Sequence, residues 1–490
     1  MLFLLLLSHA ILAYPSSGTP TTTPASPPPA NATSAASPRC TDIDNCRTVY
    51  GIVWSSFATI FACVWTAVHR NVPGPSQTRL MRILDMAKIV VVTLLAPEWV
   101  LAWAVRQFLR ARKLGIELEA VRADASRAWK QMGEVKPVWV RVSSGGGDGE
   151  QDDKTLLAQQ ADPKSVEAQK EFDTLRDGKN SKKLISLVAE GGAGRLGGKW
   201  TTRHGFFVIM GGFHFYKDGK PVHPLSPEDI LGLVRNGDLV PPTDDEIQGW
   251  SQGDTLSKAI AVLQTLWFVV QCIARGVKTL PMAQLEVMTL AYTTITFAMY
   301  AFWWYKPLNI GSPVRVAGVT LPVSKTPRAE ARYLQALRLV AGMQDWFVEM
   351  RKQARTPTFY SGGVSFSDRN EVVGDVVALA AAMVFGAVHC IAWNYVFPSE
   401  REALIWRISS AAIVVAPGLM FAAILLDMYV DNSFAEDTLF TILAAVLSVS
   451  GVVYIAARFI LLALSFTTLW SLPMGAYKTI QWTVHIPHLT

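Results

Sequence analysis

Charge is scarce in this chain. Asp, Glu, Lys and Arg make up 17% of its 490 residues, against roughly 25% in soluble chains. The net charge of +6 is modest and sits in loops, so it bears on membrane orientation before any nucleic acid. No nucleic-acid partner is expected. Cysteine is scarce too. There are five, and no Cys/His spacing resembles a zinc site. No metal and no cofactor is expected. No catalytic residues are assigned, because the chain lacks a paired-carboxylate or nucleophile–base motif. The nearest approach to a phosphate loop, Gly194-Arg195-Leu196-Gly197-Gly198-Lys199, lacks the required spacing and runs into Trp200.

What the sequence has instead is long apolar runs. Near-continuous segments occupy Val49–Val68, Met86–Phe108, Leu256–Ala274, Leu285–Trp304, Val372–Phe397, Leu404–Met428 and Thr438–Ser465. About 20 apolar residues span the hydrocarbon core, and a helix does so while satisfying its own backbone. The expected fold is an all-α polytopic membrane bundle of six or seven transmembrane helices with a small α+β loop domain. The lipid bilayer is then its first partner.

Met1–Ala13 reads as a secretory signal, with an apolar Leu2–Leu7 core and small residues Ala10 and Ala13 near the cleavage point. It lacks a basic start, so a short uncleaved anchor is the alternative. Residues 14–47 read as a Ser/Thr/Pro-rich lumenal stalk, too poor in apolar residues to bury a core. Asn31-Ala32-Thr33 is a glycosylation sequon. Cys40 and Cys46 read as a small lumenal disulfide loop. Cys63, Cys272 and Cys390 lie in apolar runs and read as packing. Together these features suit an integral membrane protein of the secretory pathway, at the plasma membrane or an endomembrane.

His69-Arg70, Arg79, Arg82 and Lys88 mark the cytosolic end of the first span. Met86–Phe108 is ambiguous. Pro97-Glu98 sits at its middle, and Arg106, Arg110, Arg112 and Lys113 crowd its far end. If it crosses, the spans number seven; if it enters and returns as a broken helix, they number six. The remaining divisions are first membrane segments at 48–108, a large hydrophilic loop domain at 109–254 and a transmembrane hairpin at 255–305. A basic loop at 306–371, three transmembrane helices at 372–466 and a tail at 467–490 complete the chain. Both large loops lack cysteine and sequons, and the second is rich in Arg and Lys. Both are expected in the cytosol, which favours the re-entrant reading.

Within the first loop, Gly145–Asp153 and Gly191–Gly198 are flexible breaks. Trp200–Tyr216 reads as a buried strand or surface hairpin, turning at Lys217-Asp218-Gly219-Lys220. Ser226 caps a short helix with Pro227 at its first position. Thr243 and Glu246 fit a capping box for the next.

Polar groups inside the spans form the candidate intramembrane site: Glu98, Gln264, Gln271, Arg275, Glu286, Thr293, His389 and Arg458. Glu286, Thr289, Thr293, Thr296 and Tyr300 fall on one helical face. The preceding span adds Gln264, Gln271 and Arg275, and a short connection makes the two helices antiparallel neighbours. Their polar faces could meet, as hydrogen-bond glue or as a cavity for a small lipophilic ligand. Glu286 is expected to pair with Arg275 or Arg458. Arg458 reads first as the end of a span complete at Ala457, with Phe459–Leu472 in the interface. Otherwise it is buried and needs an acid such as Glu286 or Glu98. Glu98, after Pro97, sits at a membrane-inserted break or pairs with a basic group. His389 reads as a packing residue before a ligand. Trp303-Trp304-Tyr305-Lys306-Pro307 reads as an interfacial belt with no chemistry.

Several segments resemble an uncharacterised family of polytopic fungal membrane proteins. They are His69–Pro73, Leu95–Glu98, Trp200–Phe213, Gln264–Arg275, Leu285–Tyr292, Trp303–Pro307, His389–Trp393 through Phe397-Pro398, and Trp406-Arg407. The resemblance implies a fungal source and a polytopic helical fold, and it brings no activity. The leading expectation is a non-enzymatic sensor, transporter-like or scaffolding component. The alternative is a membrane-embedded enzyme acting on a lipophilic substrate, with Glu98, Glu286 or His389 as acid or base.

Overall fold

A computed structural model describes residues 46–132, 199–251, 255–317, 348–363, 369–429 and 436–480. The signal segment, Asn31, Cys40, most of the stalk and the glycine-rich breaks at 145–153 and 191–198 lie outside the described residues. Among those described, six helices are long and apolar enough to cross a membrane. They are α1 (Val49–Ala67), α7 (Thr255–Val277), α8 (Gln284–Phe302), α9 (Arg369–His389), α10 (Glu400–Tyr429) and α11 (Glu436–Thr467).

The ambiguous apolar segment is two helices, α2 (Arg79–Leu95) and α3 (Pro97–Met132), bent by 112° at Ala96. Pro97 has no N–H to donate and pushes the residue before it out of helical geometry. Ala96 accordingly adopts φ −147° and ψ 70°. α3 then continues past Phe108, so the basic and acidic residues that follow ride on the same helix as Glu98.

The last described segment returns to the first. Cys46 bridges antiparallel to Lys478, and the Arg47 N–H donates to the Tyr477 carbonyl at 2.6 Å. The first and last described segments thus lie at the same end of the bundle, as an even number of crossings requires. The other end is also closed. Asn71, just after α1, and Gln107, within α3, are hydrogen-bonded to each other at 3.0 Å. The α2–α3 hairpin therefore departs from one level and returns to it.

α8 is the central helix. Of its apolar window 67% is buried, against at most 39% for any other candidate span. It packs on α1, α3, α9 and α11. α1 also packs on α7, so the polar faces of α7 and α8 are not simply apposed. Instead, Cys63 on α1 meets Thr265 on α7 at 3.5 Å, and Tyr300 on α8 donates to Thr66 on α1.

The smaller unit contains α4 (Thr202–Ile209), β1 (Phe213–Lys217), β2 (Lys220–Pro224), α5 (Pro227–Asn236), α6 (Asp244–Trp250) and β3 (Val314–Val316). Its sheet has the order β2-β1-β3, antiparallel then parallel. The expected strand over Trp200–Tyr216 is corrected here: its first half is helical. The Thr201 N–H donates to His204 Nδ1 at 3.1 Å, which starts the helix. A Cβ on Gly205 would lie 2.0 Å from the Ala111 carbonyl oxygen of α3, so α4 sits backbone to backbone on α3. Capping and this packing override the β preference of the aromatic residues. The hairpin turns where expected, with Asp218 (φ 51°) and Gly219 (φ 75°) both left-handed, as a two-residue loop requires. Ser226 accepts the Asp229 N–H at 3.2 Å. Thr243 and Glu246 cap each other reciprocally at 2.7 and 3.1 Å.

Candidate functional site

The first polar cluster lies inside the bundle. Arg458 does not end its helix: α11 runs on to Thr467, and Arg458 is only 7% exposed. It takes the second of the two expected readings, buried beside an acid, rather than standing at the end of a helix. Its guanidinium faces Glu98 Oε2 at 3.3 Å. It also donates to the Tyr454 hydroxyl at 3.0 Å, the Tyr292 hydroxyl at 3.2 Å and the Leu94 carbonyl at 3.4 Å. It stacks 4.2 Å over the Phe385 ring. The helix break explains why that carbonyl is free. In an unbroken helix Leu94 would accept from the Glu98 N–H; here it accepts from Tyr292 and Arg458. Glu98 Oε1 and His389 Nε2 are buried without a hydrogen-bond partner among the described residues. His389 Nδ1 meets the Phe385 carbonyl at 2.8 Å, and its own carbonyl accepts from Trp406 at 3.2 Å. A cleft lined by Leu94, Tyr292, Arg458 and Phe459 offers about 10 Å³, room for one water.

The second cluster lies where the two chain ends meet. Glu286 pairs with neither Arg275 nor Arg458. Its partner is Arg47, which grips both carboxylate oxygens at 2.5 and 3.2 Å. Glu286 also accepts the Ala283 N–H at 2.8 Å, so it caps the start of α8. A carboxylate at a helix N-terminus is favoured by the helix dipole. Arg275 instead donates to backbone carbonyls: Pro281 at 2.6 Å, Lys478 at 2.8 Å, and Gly475 and Ala476 at 3.2 Å each. Arg47 reaches the Ala476 carbonyl as well, at 2.7 Å. Cys46 is disulfide-bonded. The segment before α1, the α7–α8 turn and the segment after α11 are thus tied together by two arginines.

The third cluster was not foreseen. Lys306 is 2% exposed and pairs with no carboxylate among the described residues. Its ammonium donates to the His69 carbonyl, to Gln107 Oε1 at 2.7 Å and, more weakly, to Asn71 Oδ1 at 3.4 Å. It lies 4.4 Å from the Trp103 ring centre and 4.7 Å from that of Trp303. Burial pushes this lysine well below the usual ammonium range. The three oxygens and two indole faces act in the opposite direction. Gln107 and Trp103 both donate to the Tyr360 carbonyl, at 2.7 and 3.1 Å. Asn71 donates to the Pro357 carbonyl at 3.0 Å. The cage therefore fastens the 357–360 loop to α1, α3 and α8.

Of the residues singled out from sequence, Glu98 and Arg458 come together, with His389 beside Phe385, the ring on which Arg458 stacks. Glu286 and Arg275 share the end cluster. Thr293 donates to its own helix at Leu290, 2.7 Å away. Gln264 and Gln271 are half-buried on α7 and join no cluster. Lys306, Asn71, Gln107, Trp103 and Tyr292 went unrecognised. The signal for Lys306 was weak, since a lysine after tandem tryptophans usually reaches for water. Among the described residues no three His, Cys, Asp or Glu side chains are grouped to hold a metal.

Comparison with known proteins gives one match. The profile of a family of unknown function, DUF8562, matches residues 22–140 and 173–323, more than half of the chain. No curated protein and no solved structure matches it.

Proposed function

Proceeding from a chain that belongs to this family of unknown function, DUF8562, we propose an integral membrane protein of the secretory pathway, of fungal source, that transmits a signal without catalysis. The lumenal end, by this reading, is the one where Arg47 and Lys478 meet, and it carries the stalk with its Cys40–Cys46 loop and the glycan on Asn31. The cytosolic end holds Lys306 and the small sheet. The even number of traversals supports α2–α3 as a re-entrant hairpin. So do the basic residues Arg70, Arg79, Arg82, Arg112 and Lys113, which gather at the Lys306 end.

One observation carries the signalling role. α8 supplies a residue to every polar cluster: Glu286 at its start, Tyr292 in the middle, and Trp303 with Lys306 just past its end. Sixteen residues of helix lie between Glu286 and Trp303, a rise of about 25 Å. A disturbance of the Arg47–Glu286 clasp thus bears on the same rigid rod that holds the 357–360 loop. Hydrogen exchange of the purified full-length protein in nanodiscs tests this. Glu286→Gln should loosen Tyr360 and its neighbours as well as the clasp itself. Faster exchange confined to the clasp would sink the reading.

The enzyme alternative rests on Glu98 Oε1 and His389 Nε2, two buried atoms without partners. Neither residue lines the small cleft beside Arg458.

A further inference from the structure

Among the described residues, the connection from α1 into α2 holds more positive charge than its neighbours neutralise. Arg70 lies on it, and Arg79 and Arg82 lie on the first turn of α2. Arg355 arrives from a distant loop that packs directly on Gly74, where a Cβ would lie 2.8 Å from the Arg355 side chain. Asp85 is the carboxylate that answers them. It pairs with Arg355 and accepts from Gln77 at 2.9 Å. Arg82 turns instead to the Gln77 carbonyl at 3.2 Å. Arg70 makes no hydrogen bond among the described residues, and its Nε is buried without a partner. Burial first, and Arg82 second, hold its guanidinium below the usual range, with Asp85 acting against them.

An apolar surface adjoins this charge. Leu80, Met81, Ile83 and Leu84 on α2 are 53–65% exposed. Basic groups beside exposed apolar side chains at one end of a helix match the two halves of a charged lipid. A soluble anion would use the arginines and leave the leucines unexplained.

We propose that Arg70, Arg82 and Arg355, with Arg79 at the rim, bind the headgroup of an anionic phospholipid of the cytosolic leaflet. Its acyl chains lie along Leu80, Met81, Ile83 and Leu84. The headgroup phosphate supplies the negative charge that the described residues lack here, and Asp85 offsets part of the arginines' mutual repulsion when no lipid is bound. The bound lipid braces the foot of the α2–α3 hairpin, and so the position of Glu98 at its tip. The proposal rests on the bilayer reading above and not on coupling along α8.

Native mass spectrometry of the full-length protein, with phosphatidylserine, phosphatidylcholine or inorganic phosphate added, tests it. Phosphatidylserine should bind more tightly than phosphatidylcholine, and inorganic phosphate should fail to displace it. Arg70→Gln and Arg82→Gln should each weaken phosphatidylserine about fivefold, the equivalent of ~1 kcal/mol per basic residue at a membrane surface. Asp85→Asn should strengthen it, a gain that misfolding cannot mimic. Equal binding of the two lipids would overturn the proposal, as would displacement by phosphate or weaker binding in Asp85→Asn. Failure of both lipids to bind would count against the bilayer reading itself.

Discussion

Arg458 and Glu98 are 360 residues apart in sequence and meet at 3.3 Å, at a break between two helices. The pair closes the α2–α3 hairpin onto α11. Buried pairs of this kind are worth little against apolar residues of the same shape, whereas removing one member strands a charge at roughly 3–5 kcal/mol. Arg458→Met and Glu98→Gln should therefore each destabilise the protein severely. The double variant should recover most of the loss. Thermal unfolding in detergent measures all three. Additive losses in the double variant would mean that the two side chains are not coupled.

The clasp at the other end makes a milder prediction. Arg47 is 21% exposed on its side chain, so solvent screens part of its attraction to Glu286. Glu286→Gln keeps the shape but gives up a charge-assisted pair and weakens the cap on Ala283. The expected cost is about 1–3 kcal/mol. Thr289→Val should cost far less, because Thr289 only donates back to Leu285 at 2.8 Å. Equal midpoints for wild type and Glu286→Gln would reduce the clasp to a surface contact.

The contrast between these two pairs marks how far the sequence could be read. Apolar length was enough to find the six candidate spans. Pro97 was enough to place the break between α2 and α3. The caps at Ser226 and Thr243 and the Asp218-Gly219 turn were legible because their chemistry is local. Partners were not. Nothing near Glu286 in sequence points to Arg47, since the pairing exists only once the two chain ends have met. Arg458 looked like a boundary because its helical neighbours are apolar, and its acid arrives from a different helix. The helix at Thr202–Ile209 was missed for the same reason: its β-forming residues are overruled by a contact with Ala111 that no local pattern encodes.

Lys306 offers a third test, on a residue whose neighbours gave no warning. Lys306→Met fills the space but gives up the ammonium's bonds to the His69 carbonyl and Gln107 Oε1, each worth roughly 1.5–3 kcal/mol as a hydrogen bond to a charged group, although Gln107 Oε1 keeps Trp303 Nε1 at 3.1 Å. The attraction to Trp103 and Trp303 is lost as well, about 2 kcal/mol where the cation is desolvated. Lys306→Arg keeps the charge but is too long for the cage. Both should expose the 357–360 loop to limited proteolysis. A protease-resistant Lys306→Met would show that Trp103, Gln107 and Asn71 hold the loop without the lysine.

The small sheet should weaken in acid through His214. This side chain is 2% exposed on β1, and burial first, with His223 second, lowers its pKa from 6.5 to about 4. Burial favours the neutral ring in the folded state, while the unfolded chain takes up a proton near pH 6.5. The unfolded state thus binds more protons as the pH falls, and stability drops with it. The contribution is intact above pH ~6.5 and is lost progressively down to pH 4, by an amount on the order of 3 kcal/mol. His214→Phe cannot take up that proton. Hydrogen-exchange protection over residues 213–224, taken relative to the intrinsic rate at each pH, should fall on acidification in the wild type and much less in the variant. His204, also lowered by burial, remains in both proteins, so the difference between them isolates His214. Identical acid sensitivity in wild type and His214→Phe would assign the effect elsewhere.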